Sequence, residues 1–270
     1  MNRYVVIFLV STGLFFSGEG LSQGISFDAG LTPAEGRIII RSQYRHIYAS
    51  SPMIGVTTQM VPVVFAYGVR PGLTVMARNM YFNRSFSDSR AFIRGIHDPF
   101  VMAKFRVYRK NTASWVLGIA PHIGVNLPVG AEGVSSGTWN PQLGLNASFR
   151  PRYLSLDISM AYEIKDLFHP EEATGDDIFT GNVAFSGIVP VNDEGSVVLA
   201  PVIELNYLRE GIPGSSRTDP GTFLLASPGF SLITSKVAFE GLLQLPVYQS
   251  AGEEFLKQRY RVIVGVKLLF

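Results

Sequence analysis

The stretch Arg259–Phe270, RYRVIVGVKLLF, decides the fold. Tyr260, Val262, Val264, Val266, Leu268 and Phe270 fall on one parity. Arg259, Arg261, Gly265 and Lys267 fall on the other, with Ile263 and Leu269 as exceptions. Successive side chains of a strand point to opposite faces, so this is a strand with one apolar and one basic face. Tyr153–Ile164 splits the same way: Leu154, Leu156, Ile158, Met160 and Tyr162 oppose Ser155, Asp157, Ser159 and Glu163. In Arg37–Tyr48 a basic face of Arg37, Arg41, Gln43 and Arg45 opposes Ile38, Ile40 and Tyr44.

Twelve such segments follow one another, at roughly 34–48, 59–67, 73–81, 97–108, 114–126, 141–150, 153–164, 178–188, 197–209, 222–233, 237–247 and 257–270. Their connections alternate in length. Short turns fall at Gly68–Gly72, Arg109–Ala113, Pro151–Arg152, Val189–Ser196 and Thr234–Lys236. Longer polar loops fall at Ala49–Thr58, Phe82–Ile96, Leu127–Asn140, Lys165–Asp177, Glu210–Gly221 and Tyr248–Leu256. Short turns at one end and long loops at the other describe an all-β, up-and-down antiparallel transmembrane barrel of about 12 strands, of the outer-membrane type. A secreted β-sandwich also alternates. Its exterior would carry Lys, Glu and Thr, whereas the polar parity here is largely Gly, Ala, Ser and Asn. Aromatics near the ends of the apolar faces (Tyr44, Phe149, Tyr162, Phe185, Tyr207, Tyr260) suit the girdles at two bilayer interfaces.

Composition bounds the rest. Charged residues make up 16% of 270, against about 25% in an average soluble domain, and mean hydropathy is +0.22. A formal net charge of +2 excludes a nucleic-acid footprint. Without Cys there is no disulfide or thiolate metal site. Residues 1–22 read as a cleaved signal peptide: Arg3, the apolar run Val5–Phe16, then Gly20-Leu21-Ser22 as a cleavage site. The run is too short to cross about 30 Å of hydrocarbon as an anchor. Residues 23–270 then form a single barrel domain in the outer membrane of a Gram-negative cell. Phe270, an aromatic ending an apolar strand, resembles the signal by which the barrel-assembly machinery recognises such proteins.

Several segments carry a resemblance in order from Leu31 to Phe270: AEGRIIIRSQYRHIY, VPVVFAYGVRPGLTVMAR, HDPFVMAKFRVY, GVNLPVG, SPGFSLITSKVAFEGLLQLPVYQ and RYRVIVGVKLLF. The chain resembles the MetA-pathway of phenol degradation family. Its most specific pieces are Tyr67-Gly68-Val69, Ser227-Pro228-Gly229 and Leu245-Pro246-Val247-Tyr248-Gln249, and His97 stands before Asp98 where the family pattern has Gly. The resemblance implies an outer-membrane transporter with a link to aromatic compounds.

By parity the inward face carries Arg37, Arg41, Arg45, Arg78, Lys104, Arg106, Arg261 and Lys267 against Asp98, Asp157, Glu163, Glu204 and Glu240. Charges facing lipid would cost about 2–4 kcal/mol at the midplane. Two readings stay open: a charged lining that selects small solutes, or an ion-pair network that fills a narrow barrel. Among the four His, His46 and His97 lie on the outward parity near a rim. A lipid-cleaving site would need a Ser within hydrogen-bond reach of one of them. No G-x-S-x-G or H-E-x-x-H occurs, and no cofactor motif, so a non-enzymatic protein is expected. Asp166, Glu171, Glu172, Asp176 and Asp177 in the fourth loop are of the kind calcium takes. Their spacing matches no calcium loop, so a solvated acidic loop is expected. Arg84, Arg90 and Arg94 in the second loop either meet lipopolysaccharide phosphates or fold back into the pore. The expected partners are thus outer-membrane lipid, lipopolysaccharide, the assembly machinery and a small solute.

Overall fold

The computed structural model describes residues 24–51, 54–88, 91–165, 167, 177–211, 221–250 and 256–270. The expected signal segment and most of the acidic loop lie outside them. The described residues contain no helix. Fifteen strands follow in order: β1 (Ile38–Ser50), β2 (Gly55–Arg70), β3 (Leu73–Phe86), β4 (Phe92–Ile96), β5 (Phe100–Phe105), β6 (Tyr108–Asn111), β7 (Trp115–Asn126), β8 (Asn140–Pro151), β9 (Leu154–Glu163), β10 (Ile178–Gly187), β11 (Val189–Pro190), β12 (Val198–Glu210), β13 (Thr222–Ile233), β14 (Val237–Ser250) and β15 (Lys257–Leu269). β4, β5 and β6 run end to end as one broken stave, and β10 with β11 as another, so the wall has twelve staves.

Every ladder is antiparallel. β1 pairs with β15 from Ile39↔Leu269 to Ser50↔Lys257, and β10 pairs with β12 across the other junction. The sheet is therefore a closed barrel. Ile38 and Phe270 exchange backbone hydrogen bonds of 3.1 and 2.9 Å, which fixes the last residue in the closing seam with its ring outward, 58% exposed.

Turn chemistry sets the short-turn rim. Pro71-Gly72 links β2 to β3 with Gly72 at φ +91°, the conformation a type II turn asks of its third residue. Thr112 and Thr234 each close a hairpin in the same manner: the hydroxyl donates to the carbonyl three residues on and accepts from that residue's N–H.

Burial is inverted relative to a water-soluble sheet. Gln43, Thr74, Lys104, Asn146, Asp157, Glu204, Ser227, Glu240, Gln244 and Lys267 are buried, while Phe65, Val75, Leu143, Phe185, Ile203, Phe230, Phe239 and Val264 are exposed. Soluble monomers rarely expose contiguous apolar patches of more than a few hundred Å². Aromatics cluster at both ends of this outer wall. Tyr260 stacks with His46 and leans on Tyr48 at the long-loop rim, and Trp115 packs on Phe149 at the short-turn rim. Ten residues separate Tyr260 from Phe270, about 33 Å along a strand. At a tilt near 40° that spans about 25 Å, the height of the apolar band of such barrels.

Three corrections to the sequence reading concern the strands and the interior. The expected loop 82–96 is largely strand, because β3 runs on to Phe86 and β4 pairs back on it from Ser85↔Phe92 to Tyr81↔Ile96. Both faces of that hairpin carry polar residues, so alternation did not mark it. Arg259 does not join an inner basic face. The β1–β15 register shifts between Tyr48 and Ala49, and Arg259 is the extra residue, exposed, donating to Ser50 Oγ at 2.8 Å.

The third correction is the largest. Residues 24–33, which carry no strand pattern, are buried or half-buried inside the barrel. Ile25, fully buried, enters an apolar pocket made by the inward side chains Ala184, Val202, Leu242 and Ile263, with Phe27 against it. Ile263, an exception on the polar parity of β15, is thus part of a core. Close approach on the far wall depends on two glycines. A Cβ at Gly30 would lie 2.6 Å from the Ala147 backbone, and one at Gly118 would lie 2.5 Å from Leu31 Cδ2.

Replacing Ile25 by Ala removes the knob from this pocket at a cost of about 2–5 kcal/mol. Hydrogen exchange is expected to speed up at the Ile25, Ser26 and Gly30 amides while the β1–β15 ladder keeps its protection.

Candidate functional site

The inner segment and the staves enclose a cavity of about 640 Å³. Ser26, Phe27, Asp28, Leu31 and Pro33 form its floor. Its walls carry Arg41, Arg45, Arg78, Lys104, His122, Glu163, Arg261 and Lys267, and it reaches Ala49, Glu210 and Leu256 at the long-loop rim.

Two clusters of charge seat the segment. Glu204 accepts from the Ile25 N–H and the Ser26 hydroxyl, from the Ser26 N–H at 3.3 Å, and from Asn206 Nδ2 at 3.5 Å. Lys104 Nζ donates to Asp28 Oδ2 at 2.6 Å and to the carbonyls of Ala29 and Leu31 at 3.0 and 3.3 Å. Arg41 adds a third tie, from Nη2 to the Gly24 carbonyl at 3.0 Å, and Gln43 Nε2 donates to the Ile25 carbonyl at 2.8 Å. The Gly30 N–H donates to Ser148 Oγ at 2.8 Å, and that hydroxyl donates in turn to Asp157.

The inward charges predicted from parity fall into two groups. Arg41 grips Glu240 with both Nε and Nη2, at 2.9 and 2.7 Å, and Lys267 stands 3.8 Å from the same carboxylate. Bidentate pairing of this kind is the strong form of the Arg–carboxylate contact. Lys104 is paired with Asp28, and Arg150 stands 3.9 Å from Asp157. Glu163 receives Lys165 Nζ and, at 3.2 Å, Asn126 Nδ2. These charges are matched.

Arg45, Arg78 and Arg261 are not. Arg45 donates through Nε and Nη2 to the neutral Gln43 Oε1 at 3.0 and 2.7 Å. Arg261 donates to Gln258 Oε1 at 3.3 Å, and Arg78 lies 4.9 Å over the Phe100 ring. Among the described residues, none of the three has a carboxylate within ion-pair distance.

Other expected site residues sit elsewhere. Arg37 precedes β1 and is exposed at the short-turn rim, and Arg106 occupies the break between β5 and β6, its N–H on the Gly72 carbonyl at 2.7 Å. Neither lines the cavity, because Arg37 lies just before the start of β1 and Arg106 just after the end of β5. Asp98 lies outside the spanning strands, between β4 and β5, and fastens residues 130–136 of the third loop. It accepts from the Gly130 and Ser136 N–H groups at 2.9 and 2.7 Å and from the Ser135 and Ser136 hydroxyls at 2.6 and 2.8 Å. Burial pushes its pKa up, but these four donors outweigh that and hold it below the usual range. His122 points inward, with Nδ1 3.1 Å from Asn146 Nδ2. The ring of His46 stacks on Tyr260, and His97 Nδ1 lies 3.4 Å from the Asp98 carbonyl. His169 and Arg90 lie outside the described residues. Arg84 sits on β3 beside Thr58, and Arg94 on β4 over the Phe92 ring.

No family model and no curated relative matches the sequence. Solved structures do. A COG4313 outer membrane channel from Pseudomonas putida F1 superposes with a TM-score of 0.67 at 16% identity, over 88% of this chain and 97% of that one. The fold is that of an outer-membrane barrel. The translocator domain of the autotransporter NalP from Neisseria meningitidis follows at 0.47 and 14% identity, over 88% and 90%. The KdgM porin gives 0.46 and 12%, over 85% and 99%.

Because folding holds the Asp98 carboxylate below its unfolded pKa of about 3.9, the stability it lends the third loop is complete above about pH 4. It is lost as pH falls through the lower folded value. Amide exchange at Gly130 and Ser136 is expected to stay flat from pH 7 to 5, after correction for intrinsic rates, and to accelerate on further acidification. Asp98→Asn should show the faster exchange already at pH 7, by an amount equivalent to about 1–3 kcal/mol.

Proposed function

We propose that this protein is an outer-membrane channel for small solutes, exported through a cleaved signal peptide and inserted with its short turns in the periplasm. On this reading it is a member of the MetA-pathway of phenol degradation family, and its charged lumen sets selectivity. The observation that carries the reading is the inverted barrel around a cavity: an apolar wall of membrane height outside, and inside a polar space that runs from residues 24–33 to the long-loop rim. The structural likeness to a COG4313 outer membrane channel supports it.

The inner segment determines what such a channel conducts. It lies across the lumen between Glu204 on β12 and Lys104 on β5, so solute passes beside it or displaces it. The cavity mixes charged groups with Phe27, Met76, Phe100, Met102 and Phe223, a lining suited to solutes with both a polar and an apolar part.

Planar-bilayer recording of the refolded mature chain tests the reading. Small, steady unitary currents are expected. Ile25→Asp, which sets a second carboxylate beside Glu204, is expected to unseat the segment and raise the unitary conductance severalfold. A folded barrel that passes neither current nor small solutes into liposomes, with and without that substitution, would overturn the proposal.

A further inference from the structure

We propose that Arg45, Arg78 and Arg261 form a binding subsite for a small organic carboxylate that carries an apolar tail. The inference rests on the channel reading and names its solute class.

The first argument is charge matching. A buried ionised group is costly unless it is paired, and the neighbouring lumen charges obey that rule: Arg41 and Lys267 share Glu240, and Lys104 holds Asp28. The three remaining guanidiniums face the same cavity without a contacting carboxylate, Arg45 and Arg261 half-buried and Arg78 exposed to the lumen, and within contact distance they have only neutral partners, two glutamine oxygens and the face of Phe100. The Nε of Arg261 is buried and without a hydrogen-bond partner among the described residues. Glu163 and Glu210 also line the cavity, but Glu163 is taken by Lys165 and Asn126, and Glu210 stands at the rim. The unmatched charge is positive.

The second argument is placement. Arg45 pairs with Ile263 in the closing seam, so Arg261 is its diagonal neighbour, about 7–8 Å away between strands. Arg41 and Arg78 both pair with Val64, which sets Arg78 level with Arg41 on the other side of β2, four residues along the strand from the level of Arg45. Gln43 and Gln258 hold the Arg45 and Arg261 heads from one side only. A guanidinium has five donors in a planar fork, so donors remain to meet a carboxylate. Met76, Phe100 and Met102 line the adjoining wall and would cover an aliphatic or aromatic tail.

Isothermal titration of the refolded, detergent-solubilised barrel with hexanoate, acetate, hexan-1-ol and hexylammonium at low ionic strength tests this. Hexanoate is expected to bind saturably, at least tenfold tighter than acetate or hexan-1-ol, with no saturable binding of hexylammonium. Arg261→Gln should weaken hexanoate severalfold, and the triple change Arg45→Gln, Arg78→Gln, Arg261→Gln by tenfold or more, with folding checked by heat-modifiable gel mobility. Equal affinity for hexanoate and hexan-1-ol, or unchanged hexanoate binding in a folded Arg261→Gln barrel, would overturn the subsite. Titration needs no current, so the two readings fail separately. A barrel that binds hexanoate but never conducts retains the subsite and loses the channel; one that conducts without preferring hexanoate does the reverse.

Discussion

Hydrocarbon offers no partner to a backbone N–H or C=O, and each one left unpaired there costs several kcal/mol. In a sheet that obligation is met only by closure. The β1–β15 seam, held to its end by the reciprocal Ile38 and Phe270 hydrogen bonds, and the β10–β12 ladder leave no open edge. Closure also assigns the two faces. Outward positions within the apolar band must be apolar and inward ones take the charges carried there, which is why Glu204, Glu240, Asp157, Lys104 and Lys267 are among the most buried of the described residues.

An interior filled with charge then has to be neutralised from within. Part of that task falls to the opposite staves, as with Arg41 and Glu240. Part falls to residues 24–33, whose backbone amides serve Glu204 and whose Asp28 serves Lys104. The segment is thus both the floor of the cavity and a component of its electrostatics. Among the described residues Glu204 has no cation in contact, and it is satisfied by N–H and O–H donors, most of which the segment brings.

The barrel was legible because its period is two, its outer face is apolar and its short turns alternate with long loops, a pattern clearest in RYRVIVGVKLLF. Legibility failed where the period breaks. A bulge at Arg259 inserts one residue, and no parity count can detect it. The β3–β4 hairpin rises above the apolar band, where polar residues stand on both sides of the strand. The sorting of charges was also hidden. Parity places Arg41 and Arg45 on the same face, but only the three-dimensional neighbours show that one holds Glu240 and the other a glutamine. The inner segment left one trace, Ile263 on an otherwise polar parity, whose apolar side chain has a purpose only when Ile25 is beside it.

That segment is joined to β1 by residues 34–37 at the short-turn rim, and the Gly36 N–H on the Gly68 carbonyl fixes the join. It therefore behaves as a permanently tethered ligand of its own barrel. A short tether keeps the local concentration of such a ligand at about the millimolar level or above, so even weak contacts hold the pocket occupied. Once displaced, it returns by a first-order step that does not depend on how much protein the membrane contains. A free peptide of the same sequence would compete only at comparable millimolar levels, and the tether confines any exit to the short-turn side.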